Sequence, residues 1–140
     1  MEKNKITLKE AEKFHGHLGP YLVLGLLAGE IALRKLRCRK YFSLKVRVWG
    51  ATKKPKSCLI DGLQLSTGAT YGKGNIQKIE NSKIRVLFYN VKNNKRLTLS
   101  LKENLIKRLA QLKGHKDSER FAKELYKTGP LKIFNLTPLN

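Results

Sequence analysis

The longest apolar stretch of the chain, residues 18–29, is the feature that most constrains how it can fold. Pro20 stands near its start, where proline is favoured in the first turn of a helix. The stretch is shorter than the roughly 20 residues that a membrane-spanning helix needs, so we expect no membrane association. It predicts a buried helix over residues 21–36. Gly25 and Gly29 are spaced to lie on one face of that helix, where a strand, a helix or a second copy of the chain can approach closely.

The rest of the chain predicts alternating helices and strands. Apolar and polar residues alternate over residues 42–49, as in a half-buried strand. Further helices are predicted at residues 8–14, 57–67, 103–113 and 118–127, and further strands at residues 76–79, 84–90 and 96–101. Because three of these strands follow one another, we expect an antiparallel meander, with a turn at Asn93–Asn94 and the tail from Leu131 packed onto the domain. A chain of 140 residues supports one core, so residues 1–140 are predicted to form a single α+β domain.

Charge and cysteine content narrow the class of protein. The net charge is +20, and no acidic residue occurs between Glu30 and Asp61. Such a field attracts nucleic acid, anionic ligands or an acidic partner, but it also serves solubility. The polar N-terminus, residues 1–5, leads into a capping-box pattern and contains no apolar signal region, so we predict no export. Cys38 and Cys58 are too few for a disulfide framework, which indicates reduced thiols in a cytoplasmic protein.

Two of the three histidines, His15 and His17, flank a glycine just before the apolar stretch. On an α-helix, residues two apart point to nearly opposite sides, so these rings can converge on one metal ion or substrate only from a loop or an extended segment. Gly16, Gly19 and Pro20 favour such a non-helical backbone.

A thiol and a carboxylate share one face of the predicted helix at residues 57–67, because Cys58 and Asp61 are three residues apart. In the first helical turn, the positive end of the helix dipole favours the thiolate form of a cysteine, which binds metal. The alternative is a small core cysteine beside a helix-capping aspartate.

These two motifs, in this order and at this separation, resemble the E-subunit family of formylmethanofuran dehydrogenase over roughly residues 10–101. The matching residues are His15-Gly16-His17-Leu18-x-Pro20 and Cys58-x-x-Asp61-x-x-Gln64-x-x-Thr67-Gly68-x-Thr70-x-Gly72-x-Gly74-Asn75. The resemblance implies a mixed α+β domain, commonly a homodimer, that holds a divalent transition metal near the two motifs.

The resemblance also implies roles for individual residues. His17 and Cys58 correspond to metal ligands, and His15 and Asp61 stand beside them as further ligands or as their hydrogen-bond partners. Zinc suits an imidazole and thiolate set, and nickel or iron is compatible with it. The family has a cysteine where this chain has Gly19, which implies a metal that is bound more weakly, open to water or absent.

The segment that follows the second motif is predicted to support the site. Gln64, Thr67 and Thr70 match motif positions that orient ligands or a bound molecule. The glycine-rich segment at residues 68–75 lacks the signature of a phosphate loop, so we interpret it as a tight bend that brings Thr70 and Tyr71 near the histidines. The third histidine, His115, is predicted to be a solvated residue between two helices.

These observations support two alternative hypotheses about function. The first is a cytoplasmic metal-binding domain that binds a small molecule in one-carbon or redox metabolism, alone or docked to a larger oxidoreductase; whether it is catalytic stays open. The alternative is a nucleic-acid-binding protein that uses one face of the sheet. That face would present Lys45, Arg47, Trp49, Arg85 and Tyr89. The same residues are also compatible with a solvated basic face or a dimer surface.

Overall fold

Helix α2 (Pro20–Lys35) lies at the centre of the fold, and eleven of its residues are buried. The computed structural model describes residues 5–139; most of the polar N-terminal segment (residues 1–4) and the last residue lie outside the described part. Helix α2 packs mainly against α3 (Cys58–Thr67). The predicted buried helix is therefore confirmed, with bounds shifted by one residue at each end.

The close approach predicted at the glycines of α2 is made by α3. A Cβ atom added to Gly25 would lie 2.3 Å from the carbonyl oxygen of Leu59. The buried hydroxyl of Ser66 lies 3.0 Å from the Gly25 carbonyl oxygen and 2.8 Å from the Gly62 carbonyl oxygen. The two helices therefore meet backbone to backbone, and a serine hydroxyl bridges them.

Five strands form one mixed sheet. They are β1 (Leu44–Trp49), β2 (Ile76–Ile79), β3 (Arg85–Asn90), β4 (Arg96–Leu101) and β5 (Phe134–Leu139). Their order across the sheet is β2-β1-β3-β4-β5, with β1 and β2 parallel and the other pairs antiparallel. The α+β class is thus confirmed. The predicted meander is wrong in one respect: β2 pairs with β1 and not with β3, and the meander is β3-β4-β5.

The C-terminal half departs most from the predicted boundaries. Helix α4 (Glu103–Ala110) ends three residues early, and α5 (Gly114–Lys127) begins four residues before its predicted start. Lys113 occupies the N-cap position of α5, and its backbone N–H donates to the Asp117 carboxylate at 3.0 Å. The tail packs down as predicted, as a short 3₁₀ turn followed by the unpredicted β5.

The sheet has two different faces. Its inner face carries the core: Val46, Phe88 and Leu99, on three adjacent strands, are at most 2% exposed. Residues that alternate with them, such as Arg47 and Thr98, are exposed or half-buried. The helices therefore pack on one side of the sheet. Among the helices at residues 5–139, none combines the length and the hydropathy that a bilayer span requires.

Candidate metal and ligand site

The histidine motif joins α1 (Leu8–His15) to α2. Helix α1 begins with the predicted capping box, in which the Thr7 hydroxyl accepts a hydrogen bond from the Glu10 N–H at 3.1 Å. His15 is its last residue, and Gly16 ends the helix with a left-handed φ of 110°. The backbone thus leaves the helix between the two rings, so His15 and His17 can face the same region. Their ring centroids are 4.9 Å apart.

The His15 ring is held by a carboxylate of α3. Its Nδ1 atom lies 2.6 Å from Oδ2 of Asp61, and the two side chains are 12% and 35% exposed. An ionised carboxylate can only accept a hydrogen bond, so Nδ1 carries the hydrogen and the Nε2 atom of the neutral ring keeps its lone pair. Asp61 thus fixes the tautomer and the orientation of His15.

The third histidine also belongs to this region, which sequence reasoning missed. His115 lies in the first turn of α5 and not between helices, and its ring centroid is 6.3 Å from that of His17. Two imidazoles that share a tetrahedral zinc ion have centroids roughly 5 Å apart, since each Zn–N bond is about 2.1 Å. The separation of His17 from His15, 4.9 Å, is close to this spacing, whereas its separation from His115, 6.3 Å, is longer. No local pattern around His115 indicates the contact, because 98 residues separate the two rings along the chain.

A cavity of about 520 Å³ opens beside these rings. This volume is within the range of about 300–1,000 Å³ that is typical of small-molecule sites. The cavity lies between the histidine motif, the start of α3 and the helices α4 and α5. Its lining residues include the three histidines, Cys58, Lys54, Gly19 and Tyr21, with Leu109 and Leu112 as the apolar wall.

Cys58 lines this cavity, and its surroundings favour the neutral thiol over the thiolate. Burial raises the pKa of the Cys58 thiol above its ordinary value, the Asp61 carboxylate raises it further, and Lys54 lowers it. The net shift is therefore opposite to the thiolate form predicted from the helix position, because desolvation and a nearby negative charge outweigh the backbone effect that lowers the Cys58 pKa. Cys58 must lose its proton on binding a metal ion.

The three predicted ligands line one cavity without forming a ready coordination sphere. Within residues 5–139, no three His, Cys, Asp or Glu side chains are grouped closely enough to hold a metal ion as they stand. His15 is fixed by Asp61, whereas the His17 and His115 side chains are exposed. A shared ion would thus require the candidate ligands to move closer together.

Gly19, where the resemblance noted in the sequence implies a cysteine, lies in the cavity wall and has room for a side chain. Its φ of −139° and ψ of 163° suit any residue. A Cβ atom added there would contact only the His17 ring, at 3.4 Å from Cε1 and 3.7 Å from Nδ1. A cysteine at this position would therefore place its side chain beside the His17 ring.

The other predicted support residues stabilise the loop after α3. Gln64 Oε1 accepts a hydrogen bond from the Tyr71 N–H at 3.2 Å, and the Thr70 hydroxyl accepts one from the Lys73 N–H at 3.2 Å. The Thr67 hydroxyl bonds to the backbone on both sides of the helix end. These residues lie outside the set that lines the cavity. Their contacts explain a structural role, and their role in ligand binding stays a prediction.

Comparison with known proteins agrees with this architecture. A family profile described as "FmdE, Molybdenum formylmethanofuran dehydrogenase operon" matches residues 14–134. The crystal structure of a protein from Syntrophus aciditrophicus, described as similar to FmdE of tungsten formylmethanofuran dehydrogenase, has a TM-score of 0.67 at 21% identity, over 95% of this chain and 70% of that one. This likeness shows a shared fold.

A curated protein of Archaeoglobus fulgidus is also similar. It is described as a probable S-adenosyl-L-methionine-binding protein, and it is 34% identical over 77 residues, which are 53% of this chain. The match spans only about a fifth (21%) of that protein's length. Because the family profile extends over most of the sequence, from before His15 to the start of β5, this chain belongs to the FmdE family.

Proposed function

We propose that the cavity binds a divalent transition metal, zinc in the first place, through His15, His17 and Cys58. The hydrogen bond between His15 and Asp61 is the observation that carries this proposal. Histidines that bind metal almost always donate their other ring N–H to a carboxylate, a carbonyl or water, which fixes the tautomer and raises the basicity of the ligating nitrogen. His15 has this arrangement, with its Nε2 lone pair available.

The remaining donors are available around the same cavity. His17 is exposed and can change rotamer with little steric cost, and Cys58 becomes a ligand when the metal displaces its proton. His115 lines the same cavity and adds a fourth candidate donor. Nitrogen and sulfur donors in this number suit zinc, and they also accept nickel or iron.

The rest of the cavity would hold a small molecule beside the metal. A metal ion in such a site polarises a carbonyl or phosphoryl oxygen as a Lewis acid. Lys54 supplies a positive charge at the rim, and Leu109 and Leu112 supply an apolar wall. A ligand with an anionic or carbonyl group and an apolar part fits this lining, in keeping with a role in one-carbon or redox metabolism.

The relatives suggest which ligands and partners to test first. The Archaeoglobus protein is described as a probable S-adenosyl-L-methionine-binding protein, so S-adenosylmethionine is the first small molecule to titrate. The name of the family refers to a dehydrogenase operon, which makes a larger oxidoreductase the first candidate partner. A homodimer and a cytoplasmic location are part of the same proposal.

Zinc titration tests the metal proposal. We expect the wild-type protein to bind one zinc ion per chain, and both His17→Ala and Cys58→Ser to abolish binding. Cys38→Ser is the matched control, because Cys38 is also a half-buried free thiol but lies outside the cavity lining. We expect His115→Ala to weaken binding without abolishing it, since His15, His17 and Cys58, the three ligands of the proposed centre, all remain. Equal affinity in the wild type and in Cys58→Ser would refute the assignment.

A further inference from the structure

We propose that the outer face of the sheet binds single-stranded nucleic acid, independently of the cavity. The outer face is the set of side chains on β1, β3 and β4 that point away from the helices. In register across the strands, they form three rows: Lys45, Tyr89 and Arg96; Arg47, Leu87 and Thr98; and Trp49, Arg85 and Ser100. All nine residues are exposed or half-buried.

The charge of the outer face has one sign. Lys45, Arg47, Arg85 and Arg96 lie on it, and none of the five strand sequences contains an aspartate or a glutamate. Neighbouring rows on one face are about 7 Å apart, and neighbouring strands about 4.8 Å, so these four cations are spread over a small area. Such a surface attracts the phosphates of an extended polyanion.

Two aromatic rings lie among these cations and are paired with them. The Arg85 guanidinium lies 4.3 Å from the centroid of the Trp49 ring, and the Arg96 guanidinium lies 5.1 Å from that of Tyr89. Bases of single strands stack on aromatic rings and on arginine planes, whereas the bases of a duplex are already stacked on one another. The combination of rings and cations thus favours single strands over duplexes and over base-free polyanions.

The same charges oppose a second copy of the chain as the occupant. A two-fold interface brings the same patch of both copies together. Here it would juxtapose two sets of Lys45, Arg47, Arg85 and Arg96, with no carboxylate from the strands to pair with them. Like charges placed opposite each other across an interface cost several kcal/mol. The outer face therefore fits a polyanion better than it fits itself.

Fluorescence of Trp49 provides a direct test, because it is the only tryptophan of the chain. We expect an oligouridylate of about ten nucleotides to quench this fluorescence on binding. Inorganic polyphosphate, which has no bases, should leave it unchanged when bound. Unchanged fluorescence at saturating oligonucleotide would overturn the proposal, as would binding to phosphatidylserine vesicles with no binding to the oligonucleotide.

Paired variants of equal charge locate the binding site. Lys45→Gln with Arg47→Gln removes two exposed cations from the outer face, whereas Lys9→Gln with Lys107→Gln removes two exposed cations from the helices. Each lost phosphate contact reduces the steepness of the plot of log affinity against log salt by about 0.7. At 0.1 M salt this corresponds to a roughly fivefold loss of affinity for each contact. We expect roughly a 25-fold loss for the sheet pair and a small loss for the helix pair. Equal losses would overturn the proposal.

Discussion

Gly25 of α2 and Gly62 of α3 face each other where the two helices cross. A Cβ atom added to either residue would come within 2.8 Å of the Cα atom of the other, which is closer than real Cβ atoms approach. Each position therefore accepts only glycine while the backbone of the facing helix lies this close. The crossing brings the first turn of α3, with Cys58 and Asp61, against the histidine motif that precedes α2, so the position of the cavity depends on it.

Gly62→Ala should destabilise the protein by at least about 2 kcal/mol, although alanine favours the helix over glycine by up to about 1 kcal/mol. The new methyl group would lie 2.2 Å from the Leu22 carbonyl oxygen, and a backbone atom in a helix cannot easily move away. Urea unfolding measures the change. Gly72→Ala is the control, since its Cβ would meet nothing closer than 3.8 Å. Equal stability of the two variants would contradict this packing of α2 against α3.

Asp61→Asn should lower zinc affinity about 10–100-fold, because the variant loses the charge that fixes and polarises the His15 ring. Nitrogen chemical shifts of the neutral ring at pH 8 should show the hydrogen on Nδ1 in the wild type. Glu12→Gln, which removes an exposed carboxylate from the same helix as His15, should leave both measurements unchanged. A wild-type ring with its hydrogen on Nε2 would be inconsistent with the Asp61 contact.

The rate at which iodoacetamide alkylates Cys58 should rise at a higher pH in the folded protein than in the unfolded chain. Both are measured in a Cys38→Ser background, so that only Cys58 reacts. Burial and the Asp61 carboxylate raise the pKa of the Cys58 thiol, so the reactive thiolate forms only at higher pH. Asp61→Asn should move the midpoint to lower pH, and Lys54→Gln should move it to higher pH, since Lys54 lowers this pKa. A folded midpoint below the unfolded one would contradict the raised pKa of Cys58.

Gly19→Cys should tighten zinc binding by roughly tenfold or more, because it adds a thiolate ligand next to His17. The backbone at Gly19 accepts a side chain without strain, and the contact of its Cβ with the His17 ring would be an ordinary one. Gly19→Ser is the control of similar size without a thiol. If both variants bind zinc equally, the added sulfur does not reach the metal.

Local patterns of the sequence predict most elements of this fold, but not how the strands pair. The alternation in β1 and β3 indicates strands with one buried face, and both are interior strands of the sheet. β2 has only four residues, two of them exposed, which suits an edge. Nothing in its sequence indicates that it joins the far side of β1, since that pairing depends on the path of the chain around α3. Pro138 in the other edge strand, β5, weakens its local signal.

The candidate site was predictable where its residues lie in compact motifs. His15, His17 and Cys58 line one cavity as the two motifs indicate, but the pairing of Asp61 with His15 depends on the helix crossing. His115 could not be predicted, because α5 carries it to the cavity from the other end of the chain. The pKa of Cys58 was predicted with the wrong sign because helix position is visible in the sequence and burial is not.

X-ray absorption at the zinc edge of the metal-loaded protein tests the central claim most directly. We predict one sulfur at about 2.3 Å and two or more imidazole nitrogens at about 2.0–2.1 Å from the zinc. We also predict that Cys58→Ser removes the sulfur, while Cys38→Ser leaves the spectrum unchanged. A stoichiometric zinc with no sulfur neighbour in the wild type, or no zinc retained at all, would contradict the proposed centre.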